Sequence, residues 1–101
     1  SGDAWVRNLQ AELNAQGFRA SSGNKLIVDG IAGSKTLSAC PTLRVGARGN
    51  ITKLMQQKVG TTTDGIFGNN TKQAVINYQR SKGLVADGIV GQNTWRKILG
   101  L

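Results

Sequence analysis

Residues 62–72 read "TTDGIFGNNTK", residues 85–95 read "VADGIVGQNTW", and residues 27–37 read "IVDGIAGSKTL". Asp-Gly-Ile-x-Gly-x-x-Thr therefore occurs three times in 101 residues. A catalytic loop is needed once, whereas a structural joint can be reused, so the repeat speaks first about architecture. Asp followed by Gly marks a turn: Asp bonds the backbone two residues on, and Gly accepts positive φ. The isoleucine (Ile31, Ile66, Ile89) is the one fixed apolar residue and is expected to plug the core. The second glycine (Gly33, Gly68, Gly91) is expected to turn the chain sharply into a helix. Thr36, Thr71 and Thr94 then fall in a first helical turn, with hydroxyls serving local backbone groups. Asp29, Gly30, Asp64, Gly65, Asp87 and Gly88 complete the three turns. A calcium loop needs several oxygen ligands at alternate positions, and each copy supplies one carboxylate. The spacing also fails as a glycine-rich phosphate cradle.

Working outward, the stretches around the turns have helical spacing. In residues 4–16, Trp5, Leu9 and Leu13 share one face beside Val6, with Asp3 as N-cap and Gly17-Phe18 as the stop. Residues 19–26 read as a polar loop, and "SKTLSAC" (34–40) as a short helix ended by Pro41. Residues 51–59 place Ile51, Leu54, Met55 and Val59 inward, and Gly60 ends them. Residues 70–82 carry an Ala74, Val75, Tyr78 stripe closed by Gly83-Leu84. In residues 93–99, Trp95, Ile98 and Leu99 face the core. The expectation is an all-α protein: a small bundle of short helices joined by stereotyped turns. The basic, glycine-bearing "RVGARGN" (44–50) is the candidate internal boundary.

Composition narrows the chemistry. Thirteen Lys and Arg against five Asp and Glu give a formal charge of +8, with a pI near 10.4 and mean hydropathy −0.23. Such a surface is drawn to polyanions: nucleic acid, anionic lipid or an anionic cell wall. No apolar run approaches the ~20 residues needed to cross a bilayer, and none resembles a signal-peptide core. Cys40 is the single cysteine, which allows no intrachain disulfide and reads as a small buried residue. With no histidine, the commonest general base and metal ligand is missing. No metal site and no cofactor are expected.

With these residues in view, "DGIFGNNTKQAVINYQRSKGLVADGIVGQNTWRKIL" resembles the peptidoglycan-binding module of bacterial and phage wall hydrolases. The resemblance spans residues 44–100. It rests on two turn motifs bracketing an Ala-Val-x-x-Tyr-Gln helix, with Tyr78-Gln79 filling the family's aromatic-Gln mark. It implies one complete three-helix module over 44–101. Residues 1–43 look like an abbreviated copy that lacks the middle helix. It further implies a non-catalytic anchor for an endolysin, amidase or muramidase domain carried in cis. The setting implied is extracellular, at the bacterial wall.

A glycan strand or stem peptide offers hydroxyls, amides and carboxylates, so the candidate ligand cluster is Asn69, Asn70, Gln79, Arg80, Gln92 and Asn93. Tyr78 and Trp95 read as core residues that offer an edge for stacking. Helix N-termini at 69–71 and 92–94 are candidate carboxylate receivers. The spread of basic residues suits long-range attraction to anionic wall polymers such as teichoic acids. Two alternatives fit the sequence less well. A basic nucleic-acid-binding protein would want a basic recognition helix, and residues 70–82 mix amides with only Lys72, Arg80 and Lys82. A carboxylate glycosidase needs two acids flanking a cleft, and neither Asp3 nor Glu12 reads that way.

Overall fold

The computed structural model describes residues 2–101; Ser1 lies outside the described residues. Among the described residues five helices follow one another: α1 (Ala4–Ala15), α2 (Ser34–Ala39), α3 (Asn50–Val59), α4 (Asn69–Ser81) and α5 (Gln92–Ile98). The all-α bundle expected from the spacing is present, and the helix bounds fall within about two residues of that reading, which is the usual uncertainty of a helix end.

Local chemistry explains the bounds. The Asp3 carboxylate accepts from the Val6 N–H at 3.1 Å and starts α1. At its far end Phe18 N–H returns to the Leu13 carbonyl at 2.9 Å, placing the apolar residue after the stop glycine against the last turn. Leu84 N–H returns to Gln79 in the same way at 2.9 Å after α4. No helix among the described residues is long and apolar enough to cross a membrane.

Helix α1 packs on α3, α2 on α5, and α3 also meets α4 and α5. One apolar core joins Leu9 and Leu13 of α1 to Leu37, Met55, Val75 and Trp95. Trp95 is fully buried, which for a side chain of its size contributes on the order of 3 kcal/mol. Both tryptophans also bridge the repeats. Trp5 Nε1 donates to the Leu54 carbonyl at 3.0 Å, and Trp95 Nε1 to the Pro41 carbonyl at 2.7 Å. The connector around 44–50 is tied down on either side. Leu43 pairs antiparallel with Val90, and Arg48 with Ile66.

The turns correct one expectation outright. Ile31 is 67% exposed and Ile66 45% exposed, and Ile89 is only half-buried. The core plug is the next residue instead, with Phe67 1% and Val90 0% exposed. Successive side chains of an extended segment point to opposite sides, and here the isoleucine carbonyl, not its side chain, faces inward. The first glycine of each turn does need its left-handed backbone: φ is 75° at Gly30, 74° at Gly65 and 73° at Gly88. The second glycine, Gly33, Gly68 or Gly91, stands as N-cap where the chain enters the next helix, with φ of −148°, −107° and −97°. The threonine hydroxyls accept from a side chain of the preceding helix, and Thr71 also reaches local backbone as expected.

Candidate functional site

Each turn is held by one buried glutamine. Gln56 Nε2 donates to Asp64 Oδ1 at 3.0 Å, to the Ile66 carbonyl at 3.0 Å and to Thr71 Oγ1 at 3.1 Å. Its Oε1 accepts from Gly65 N–H at 2.8 Å. Gln79 does the same with Asp87, Ile89, Thr94 and Gly88, and Gln10 with Asp29, Ile31, Thr36 and Gly30. Of the threonines only Thr71 also reaches local backbone, at the Ile66 carbonyl (3.3 Å). Each glutamine sits in the helix before the turn, so its amide clasps the turn from below. A buried amide must be satisfied, and these are: no buried side-chain polar atom among the described residues lacks a partner.

The aspartates face out. Each Oδ1 accepts from the isoleucine N–H two residues on, at 2.9–3.0 Å. The Ile31 N–H, then the Gln10 amide, hold the Asp29 carboxyl below its ordinary value. Asp64 is lowered in the same manner by Ile66 N–H and then Gln56. A carboxylate held in this state accepts hydrogen bonds and is a poor proton donor.

A groove opens beside each clasp, between the turn and the helix that follows. The second turn's groove, about 290 Å³, is lined by Thr61, Thr62, Ile66, Asn69 and Asn70. The third, about 170 Å³, is lined by Leu84, Val85, Ile89, Gln92 and Asn93. The first, about 540 Å³, includes Ile27, Ile31 and two lysines. The repeated isoleucine thus stands at each groove, which gives its exposure a use that core packing cannot.

The candidate ligand cluster divides between these grooves. Asn69 and Asn70 belong to the second, at the start of α4, and Gln92 and Asn93 to the third, at the start of α5. Gln92 also donates to the carbonyls of Leu37 at 3.0 Å and Cys40 at 3.4 Å, tying α5 to the end of α2. Gln79 is 1% exposed with its amide committed to the third clasp, so as folded it holds the groove's floor and offers no free donor. Trp95 presents no edge, being fully buried. Tyr78 is half-buried, its phenol lifted above the ordinary value by that burial, with Lys82 Nζ 5.5 Å from the ring centre. Arg80 is exposed and lines neither groove.

Sequence reasoning passed over the whole first groove. Its signal was present: Gln and Asp are 8 residues apart in the second and third clasps but 19 apart in the first. The extra length is the loop that walls the larger cavity.

Comparison with known proteins agrees with the geometry of the C-terminal helices. Residues 51–98 match the family described as "Putative peptidoglycan binding domain". Among solved structures, the chain is similar to a peptidoglycan-binding protein from Clostridioides difficile, crystallised in complex with glutamine hydroxamate. The two are 36% identical with a TM-score of 0.54, over 57% of this chain and 40% of that one. The chain therefore spans well under half of that protein's length. No curated protein matches the sequence.

Proposed function

We propose, from the peptidoglycan-binding family that residues 51–98 match, that this chain is a non-catalytic wall-binding module. It holds a hydrolase domain, carried in the same polypeptide, on insoluble peptidoglycan outside the cell. The observation that carries the reading is the isoleucine standing at each repeated groove, exposed at Ile31 and Ile66 and half-buried at Ile89, beside asparagine, threonine or serine. Such a surface suits a ligand with methyl groups and amides together, as the acetamido sugars and stem peptides of the wall have. The carboxylates support a binding role over a catalytic one, because Asp29 and Asp64 are committed to their turns and held ionised. The +8 charge adds long-range attraction to anionic wall polymers without fixing register.

The test is co-sedimentation with purified sacculi, with and without teichoic acid, at about 50 and 500 mM salt. Screening shortens to a few Å at the upper level, so shaped grooves keep holding while diffuse charge lets go. Retention at high salt on teichoic-acid-free sacculi is expected. Loss under either change would assign the affinity to net charge and remove the grooves from the account.

A further inference from the structure

The three grooves differ in charge although their clasps are alike. The second and third contain one aspartate each and no lysine or arginine. The first contains Asp29 together with Lys25 and Lys35. Its wall is the loop that lengthens the first repeat, and that wall is fixed in place. Asn14 Nδ2 donates to the Leu26 carbonyl and Asn14 Oδ1 accepts from Leu26 N–H, both at 2.8 Å. Ser21 N–H donates to Ser38 Oγ at 3.0 Å, closing the loop onto α2. Leu26 is buried by this arrangement, yet its neighbour Ile27 is 74% exposed, in the same lining as Ile31. A pre-organised wall lowers the ordering cost of binding, and two exposed isoleucines with two ammonium groups ask for a ligand that is part apolar and part anionic.

We propose that this first groove, outside the matched residues 51–98, is a second ligand site, taking a short peptide with small apolar side chains and free carboxylates. Stem peptide that has not been cross-linked is the wall component of that chemistry, so the assignment rests on the wall-binding reading above. Methyl groups of the peptide lie against Ile27 and Ile31, and its carboxylates meet Lys25 and Lys35. The second and third grooves, each lined by an aspartate and by no lysine or arginine, have no cation to reward a free carboxylate.

The experiment is an amide chemical-shift titration of the full chain with synthetic L-Ala-γ-D-Glu-L-Lys-D-Ala-D-Ala. The same peptide with its carboxylates amidated is the control. Shifts are expected at residues 22–27, at Ile31 and at Lys35, with the amidated peptide weaker by about tenfold, equivalent to 1.4 kcal/mol. Both lysines are exposed, so Lys25→Gln with Lys35→Gln keeps the fold, visible in an unchanged spectrum. That variant should lose the same tenfold while still sedimenting with sacculi through the other grooves. Shifts confined to 61–71 or 84–94, equal binding of both peptides, or an unaffected variant would overturn the assignment while wild-type sedimentation leaves the wall-binding reading standing. Failure of the wild type to sediment at any salt would remove both.

Discussion

Gln56 and Thr71 lie 15 residues apart in the chain and meet at 3.1 Å in the core, and Gln79 meets Thr94 over the same separation at 3.0 Å. Replacing Gln56 by leucine keeps most of its volume but strands Gly65 N–H, whereas the Ile66 carbonyl keeps Thr71 Oγ1 and Gly68 N–H. A stranded buried group costs about 1–3 kcal/mol, so Gln56→Leu should lose about that much in chemical denaturation. Gln56→Glu sharpens the test. Its carboxyl would face Asp64, which raises its folded pKa, so its stability deficit should be larger at pH 7 than at pH 4. A deficit independent of pH would mean the amide's hydrogens are not what holds the turn.

The two glycines of a turn should respond oppositely. Gly65→Ala forces a side chain into φ of 74° with its Cβ 3.1 Å from the Gly49 carbonyl oxygen, and should cost about 1–2 kcal/mol. Gly68→Ser meets open space in extended backbone and supplies a missing N-cap hydroxyl, worth a few tenths of a kcal/mol. Thermal melts of the two variants decide this. Equal losses would refute it.

Acid should loosen the turns. Asp29 and Asp64 have folded pKa values below their ordinary value of 3.8, so the unfolded chain takes up protons first as pH falls. Their contribution is complete above about pH 5 and disappears as pH drops through the folded pKa. Asp29→Asn with Asp64→Asn keeps an acceptor for the isoleucine N–H while removing the titration. Its stability should therefore vary less between pH 5 and 2 than the wild type's, and parallel curves would contradict the assignment.

Cys40 should be silent until the protein unfolds. Burial pushes its thiol up to about 12, and its Sγ donates to the Thr36 carbonyl at 3.3 Å, so almost no thiolate exists near pH 8. Labelling with a disulfide reagent should proceed at the opening rate of the native state. Immediate labelling of folded protein would show that the α2 end is open.

Residues 1–43 and 44–101 are proposed here as two repeats of one cooperative unit. A chain starting at residue 44 leaves the Trp95 N–H and the Gln92 amide without their carbonyl partners on Pro41, Leu37 and Cys40. It should melt well below the full chain, which should unfold in one transition by both circular dichroism and fluorescence. An unchanged melting temperature for the shorter chain would refute the coupling.

Much of this fold is legible in the sequence because its signals are local. Helical spacing around Leu9 and Leu13, the Asp3 cap and the glycine stops act within one or two turns. The isoleucines mislead because hydrophobicity says an apolar residue wants burial, without saying which side of an extended segment is inside. Phe67 and Val90 lie one residue further on, a shift that alternation reverses completely. Gln79 misleads because a glutamine is usually solvated; only its recurrence, after Leu9, Met55 and Tyr78 in turn, marks it as internal. The first groove is invisible from composition, since Lys25, Ile27 and Lys35 meet only once the Asn14 amide anchors the loop.

Helix α4 receives a hydrogen bond from one clasp at Thr71 and supplies the next from Gln79. Those positions are eight residues apart, which on an α-helix is a rise of about 12 Å and a residual rotation of about 80°. The second and third grooves are therefore steps of a spiral stair, facing different ways. A straight polymer lying in one step leaves the other pointing toward a different strand. Under the proposed wall-binding reading, such a protein would work on a meshwork less like a hand closing on a rope than like a burr, catching crossing fibres at an angle that the length of one helix sets.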